Sequence, residues 1–140
     1  MNKLKYTLLI GTLSCLGIKA QNSLTVNITN IGTKKGQIEI GLFKGEKGFL
    51  KEGFQFLKKK VKVKGNSVQE MFTGLPDGNY AVAIFHDENM NGKCDTNFIG
   101  IPTEGYGFSN NFKPTVAAPK FSQTKISVSG NKKIDIKLIN

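Results

Sequence analysis

The stretch Leu75-Pro76-Asp77-Gly78-Asn79-Tyr80-Ala81-Val82-Ala83-Ile84-Phe85 joins a turn signal to the most apolar strand-like segment of the chain. Proline followed by Asp-Gly predicts a tight turn, because proline fixes one backbone angle and glycine adopts the left-handed conformation readily. The apolar run after the turn has the length of one strand and is shorter than a typical helix. It therefore predicts a central β-strand that is covered on both faces.

Shorter strands are predicted on both sides of this segment. Leu24, Val26 and Ile28 alternate with polar residues, which is the pattern of a half-buried strand. Alternation or a short apolar run recurs in segments 37–43, 61–63, 68–72, 124–128 and 133–139. Turn residues separate the segments, and no stretch has convincing helical periodicity. The sequence predicts an all-β fold, a single antiparallel β-sandwich of about seven strands, immunoglobulin-like or transthyretin-like. A small barrel is the alternative.

The first twenty residues have the pattern of a secretory signal peptide. Lys3 and Lys5 precede an apolar stretch over residues 6–18, and Ala20 supplies a small residue for cleavage. The apolar stretch is shorter than the roughly 20 residues that a membrane-spanning helix needs. We therefore expect a signal peptide at 1–20 and one domain at 21–140. A lipid anchor on Cys15 is the alternative to soluble export.

The basic residues and the cysteine content indicate the class of partner and the cellular compartment. All 20 basic residues are lysine, and removal of residues 1–20 lowers the formal net charge from +10 to +7. Arginine is the usual bidentate reader of phosphates and bases, so its absence argues against a nucleic-acid partner. The mature chain would keep one cysteine, Cys94, and therefore no internal disulfide. We expect an exported protein, periplasmic, secreted or at the cell surface, with a glycan, a peptide or an envelope component as candidate partner.

A loop with the spacing of a hard-cation site follows the central strand directly. It reads Asp87-Glu88-Asn89-Met90-Asn91-Gly92-Lys93-Cys94-Asp95, with oxygen-bearing side chains at alternate positions and a glycine at the sixth. Calcium binds such oxygen ligands in flexible geometry, and the glycine allows the sharp turn. The predicted ligands are Asp87, Asn89, Asn91, the backbone carbonyl of Lys93, and Asp95.

This loop departs from a helix-loop-helix calcium site at two points. Phe98 occupies the twelfth position, where a bidentate glutamate is expected, and the preceding element is a strand. Glu104 is the first candidate for the missing ligand and Asn97 the second. Two carboxylates with two amides predict a structural calcium site of moderate or weak affinity, and extracellular calcium modules typically bind at about 10⁻⁴–10⁻³ M. The alternative is that these Asp, Asn and Gly residues only make turns.

Catalytic interpretations have less support in the sequence. His86 is the only histidine, and it has no thiolate cluster beside it that would indicate zinc. A small envelope hydrolase using Glu104, His86 or Asp87 is the alternative function, and a Cys94–His86 pair is formally conceivable. Burial of His86 would count against this alternative. We expect a protein that is not an enzyme.

The segment 98–112 has no regular period, and within it residues 100–111 alternate glycines with aromatic residues. Tyr106 and Phe108 could form an exposed platform for a sugar or a peptide. The alternative is an irregular loop whose aromatic side chains anchor it against the sandwich.

His86 to Asn111, HDENMNGKCDTNFIGIPTEGYGFSNN, closely resembles the signature of a bacterial family of small exported proteins classed as a domain of unknown function. The preceding segment 74–82 also fits that pattern. The resemblance implies a single β-sandwich behind a signal peptide and supplies no activity. Cys94 departs from it, since an aliphatic residue is expected there. The loop also resembles the structural calcium loops of β-sandwich repeats in bacterial surface adhesins.

Overall fold

A computed structural model of the protein describes residues 21–140, so the predicted signal peptide and the predicted anchor at Cys15 lie outside the described residues. Eight strands, one short 3-10 helix (Ser109–Asn111) and one short α-helix form the described part. The strands are β1 (Asn22–Thr29), β2 (Gln37–Phe43), β3 (Leu57–Lys62), β4 (Val68–Leu75), β5 (Gly78–Asp87), β6 (Tyr106–Phe108), β7 (Ile126–Val128) and β8 (Asn131–Lys137). The α-helix is α1 (Phe121–Thr124). The predicted all-β sandwich is confirmed.

The strands form two sheets. The first sheet has the order β4-β1-β8, and the second has the order β3-β2-β5-β6, with β7 paired to the first residues of β5. All of these pairings are antiparallel except that of β1 with β8, which is parallel. The turn at Gly130 therefore leads the chain from the second sheet to the first.

Alternating apolar residues of both sheets form the core between them. In β1 every second residue is buried, from Asn22 to Ile28, as its alternating sequence predicts. The other large contributions come from β2, β5 and β8, whose inward side chains join one cluster. Its fully buried members include Leu24, Val26, Ile28, Ile38, Ile40, Leu42, Tyr80, Val82 and Ile136.

Strand β5 is central, as the opening segment predicts. It pairs with β2 along its length, with β7 at its beginning and with β6 near its end. Tyr80 is fully buried, and its hydroxyl donates a hydrogen bond of 2.7 Å to the carbonyl of Pro76 in the preceding turn. Because β5 is fixed on both edges, the loop that follows Asp87 begins from a rigid position.

Three parts of the chain differ from the sequence-based expectation. Residues 106–108, expected to be irregular, form the short strand β6. Thr124, expected to begin a strand, is the last residue of α1. Strand β3 begins at Leu57, four residues before the predicted strand. The prediction missed these residues because three of them are lysines with exposed or half-exposed side chains, which show no apolar alternation. Among residues 21–140, no helix is long and apolar enough to cross a membrane.

Candidate functional site

Asp87 is the last residue of β5 and the fixed end of the loop. Its side chain is fully buried. Its Oδ1 accepts the backbone N–H of Asn91 at 3.0 Å, and its Oδ2 accepts that of Gly92 at 2.9 Å. The side chain of Gln37, on the neighbouring strand β2, also donates to Oδ2 at 3.1 Å. One carboxylate thus folds the chain back on itself within five residues.

These hydrogen bonds decide the ionisation of Asp87. Burial on its own would raise the pKa of this carboxyl, because a charged group loses its hydration. The donors from Gly92, Gln37 and Asn91 outweigh burial and hold the pKa below its ordinary value. Asp87 is therefore a stable carboxylate, which is the form that both a turn-forming acceptor and a cation ligand require.

Asn89, Asn91 and Asp95 meet on the outer side of the loop. The amide of Asn89 lies 2.6 Å from Asp95 Oδ2, and that of Asn91 lies 2.9 Å from Oδ1 and 3.0 Å from Oδ2. The side-chain oxygen of Asn89 accepts the N–H of Asn91, and that of Asn91 accepts the N–H of Lys93. The structure therefore brings together the predicted side chains at loop positions 3, 5 and 9. The buried carboxylate at position 1, Asp87, contacts the backbone of Asn91 and Gly92 instead.

Glu104 connects the two ends of the loop. Its side chain is only 8% exposed, and its Oε1 accepts the N–H of Glu88 at 2.9 Å. Its Oε2 accepts the N–H of Asp95 at 3.0 Å. Glu104 thus lies at the loop, as predicted, but both of its oxygens already contact backbone donors.

The other predicted residues of the loop region lie farther from its centre. The side chain of Asn97 accepts the N–H groups of Ile99 and Ile101, so it folds the next turn and does not face the loop. Phe98, at the twelfth position, is 99% exposed. Tyr106 and Phe108 are half-buried, with ring centroids 6.0 Å apart, so they form neither a fully exposed platform nor a buried anchor.

The connection between β1 and β2 also holds the loop, and sequence reasoning missed this contribution. Gly36 has a backbone φ of 67°, and a Cβ atom at this position would overlap the carbonyl of Asp87. Thr33 donates a hydrogen bond of 3.1 Å to Glu88 Oε2. The only signal in the sequence is the glycine itself, which could equally have marked an ordinary turn.

His86 is fully buried on the inner side of β5. Its Nε2 lies 2.7 Å from the carbonyl oxygen of Lys35, which requires a proton on Nε2. Its Nδ1 has no hydrogen-bond partner among the described residues and lies 3.8 Å from Glu88 Oε1. A ring without solvent contact cannot reach a substrate in this conformation.

Cys94 is half-buried in the loop and is the only cysteine among the described residues. Burial, together with the nearby carboxylates of Glu104 and Asp95, raises the pKa of its thiol to about 11. The thiol is therefore protonated at neutral pH, and a protonated thiol is a poor nucleophile.

The donor set of the loop fits a hard cation better than a soft one. Among residues 21–140, no three side chains from histidine, cysteine, aspartate and glutamate are close enough together to hold a metal. Carboxylates alone therefore do not complete a site, and amide and carbonyl oxygens would have to contribute. Mixed oxygen donors of this kind bind calcium or magnesium, with weak affinity.

The sequence profile of DUF2141, described as an uncharacterized protein conserved in bacteria, matches residues 26–137. The match covers both sheets and the whole loop. No curated protein and no solved structure matches the chain.

Proposed function

The chain belongs to the bacterial family DUF2141, and from this premise we propose that it is an exported, calcium-stabilised β-sandwich module of the cell envelope, not an enzyme. Its ion would bind at the loop between Asp87 and Asp95. The role of the ion is structural: it holds the loop and the segment that continues from it to β6.

One observation carries this proposal: three oxygen-bearing side chains meet at the loop, and the Asp87 carboxylate holds the backbone of one of these residues. The amides of Asn89 and Asn91 contact the Asp95 carboxylate, while Asp87 accepts the backbone N–H of Asn91. A calcium ion would bind the carboxylate oxygens of Asp87 and Asp95 and the amide oxygens of the two asparagines. Both asparagine side chains would have to turn, because their NH₂ groups face Asp95 and their oxygens accept backbone N–H groups in this structure. Lys93 would contribute its backbone carbonyl. Glu104 supports the site from behind, because its oxygens hold the backbone at both ends of the loop.

Burial of His86 and protonation of Cys94 support a non-enzymatic role. A general base or nucleophile must be within hydrogen-bond reach of a substrate. His86 has no solvent exposure, and the raised pKa of Cys94 keeps its thiol uncharged. The alternative hydrolase would need Glu104 as well, and both oxygens of that carboxylate are occupied by backbone donors.

Calorimetric titration of the purified protein with calcium tests the ion directly. We expect saturable binding in the range of about 10⁻⁴–10⁻³ M and weaker binding of magnesium, which demands stricter geometry. Asp95→Asn should weaken calcium binding. Asp77→Asn, in the turn before β5 and at the opposite end of that strand from the loop, should leave it unchanged. Absence of saturable heat with millimolar calcium, or equal binding by Asp95→Asn, contradicts the site.

The envelope location has a separate test. We expect the protein recovered from exporting cells to begin after Ala20, as mass spectrometry of its N-terminus would show. A lipid-modified N-terminus at Cys15 would show that the protein is anchored to a membrane and is not exported in soluble form. An intact N-terminus at Met1 in every cell fraction would contradict export.

A further inference from the structure

The outer face of the second sheet contains a depression at two small residues. Gly41 of β2 pairs with Ala83 of β5, and the same row continues to Lys58 on β3 and Phe108 on β6. The side chains of Phe43 and Gln55 lie against Gly41. The open volume is therefore beside them, above Ala83, where the sheet surface is concave.

Two segments complete this depression into a pocket. On one side, Leu50 and Gln55 reach it from the connection between β2 and β3. On the other side, Lys93, Cys94 and Pro102 reach it from the region of the candidate calcium loop. The pocket has a volume of about 430 Å³, within the range of roughly 300–1,000 Å³ typical of small-molecule sites.

Four aromatic side chains line the pocket. Phe43 lies on β2, Phe85 on β5, and Tyr106 and Phe108 on β6. Phe43 is buried, while the other three are half-buried. Apolar walls of this kind are typical of pockets that bind the apolar body of a ligand, and a few polar groups then fix its orientation.

Glu39 is the polar group at the end of the pocket. Its side chain is 1% exposed, and its Oε1 contacts Lys60 Nζ at 2.7 Å and Gln37 Nε2 at 3.2 Å. Its Oε2 forms an ion pair of 3.0 Å with Lys58 Nζ and has no other donor among the described residues. A carboxylate oxygen can accept two hydrogen bonds, so Oε2 has capacity for a second donor. A ligand hydroxyl would supply this donor once the Lys58 side chain, which is 28% exposed, moves aside and uncovers the oxygen.

The charges around Glu39 select against an ionic ligand. Lys58 contacts both Glu39 and Glu52, and Lys60 contacts Glu39, so these four side chains are neutral in sum. A cationic ligand would compete with two ammonium groups already present. An anionic ligand would face two carboxylates. A neutral hydroxyl group can donate to Glu39 Oε2 and leave the charge balance of these four side chains unchanged.

We propose that this pocket binds a small, uncharged molecule with an aromatic or other apolar ring and a hydroxyl group, the ring between the aromatic walls and the hydroxyl on Glu39. A sugar fits less well, because its several hydroxyl groups would lie against apolar walls without partners. Sheet residues form the floor of the pocket, and Glu104 holds the loop that completes one side without an ion. This inference therefore does not depend on the proposed calcium ion.

Titration of the isotope-labelled protein, followed by the backbone amide signals in nuclear magnetic resonance spectra, tests the inference. The probes are para-cresol, its methyl ether para-methylanisole, and methyl glucoside. We expect saturable shifts at Gly41, Ala83 and Tyr106 with para-cresol. The methyl ether, which has no donor, should bind about tenfold more weakly, as expected for one lost hydrogen bond. Methyl glucoside should produce no saturable shifts. The same result is expected with calcium and with chelator.

Two variants separate pocket binding from binding elsewhere. Ala83→Leu fills the depression and should abolish binding of para-cresol, while Thr73→Leu, at an exposed position of β4, should leave it unchanged. Glu39→Gln removes the carboxylate and should reduce the preference for the phenol over its ether. A dispersed spectrum for each variant verifies that it is folded.

Three results would overturn the inference. The first is absence of saturable para-cresol binding up to its solubility limit. The second is equal binding by a folded Ala83→Leu variant. The third is a preference for methyl glucoside over para-cresol, which would assign the pocket to sugars.

Discussion

The carboxylate of Glu104 accepts a hydrogen bond of 3.0 Å from the backbone N–H of Asp95, nine residues earlier in the chain. Its other oxygen accepts the N–H of Glu88, so one side chain holds both ends of the loop. A loop held in this way keeps its ends together before any ion binds. The proposed calcium ion would then complete a turn that is already closed.

Glu104→Gln should destabilise the protein even without calcium. The new amide can accept only one of the two N–H groups, and its NH₂ group would face the other donor. Leaving a buried donor unsatisfied costs about 1–3 kcal/mol. Urea unfolding in the presence of chelator measures the loss. The exposed Glu46→Gln is the matched control and should change stability little; equal stability of the two variants would contradict the role of Glu104.

Gly36→Ala should lower the free energy of unfolding by more than the left-handed backbone angle at this position explains. Gly36 has φ of 67° and its Cβ position is blocked by the backbone of Asp87, whereas Gly74 has φ of 70° and open space around it. Gly74→Ala should lose about 1–2 kcal/mol from the unfavourable conformation. Gly36→Ala should lose at least about 2 kcal/mol more, because its neighbours are backbone atoms that must move.

Thermal or urea unfolding of the two variants separates the contact from the conformation. Similar losses for both would show that the loop does not pack against the connection between β1 and β2 as described.

Asp87 should make stability depend on pH in the acidic range. Its pKa in the folded protein is below the ordinary value of 3.8, so the folded state binds fewer protons than the unfolded state. The stabilising contribution is present above pH 3.8 and is lost as the pH falls through the folded pKa.

Urea unfolding over a series of pH values, with chelator present, measures this dependence. Asp87→Asn should flatten it, and the exposed Asp135→Asn serves as the control. An unchanged profile in Asp87→Asn would mean that Asp87 is not held by its donors.

The sequence predicts the fold well where one strand face is buried. β1, β2, β5 and β8 have apolar residues at the inward positions, and these residues form the core. The alternation of apolar residues shows which face of a strand is buried. It does not show which strand is the pairing partner or whether the pairing is parallel or antiparallel. The parallel pairing of β1 with β8, and the pairing of β7 with β5, therefore could not be predicted from alternation.

The same limit applies to the candidate site. Asp87, Asn89, Asn91 and Asp95 are adjacent in sequence, so their contacts within the loop follow from local spacing. Gly36 and Gln37 are about fifty residues away, and they reach the loop only because β2 pairs with β5. The pocket depends on the same pairing. The sequence around Gly41 and Ala83 does not indicate a pocket, and these two residues lie side by side only because of the register between β2 and β5.

Thermal unfolding with calcium, with magnesium and with chelator tests the central claim most directly. Calcium at a hundred times its Kd should stabilise the protein by roughly 2.7 kcal/mol, with a smaller effect of magnesium. The increase should disappear in Asp87→Ala and, in case that variant does not fold, in the milder Asp95→Asn. An unchanged midpoint with millimolar calcium, or an equal increase in a folded variant, would contradict a calcium-stabilised loop.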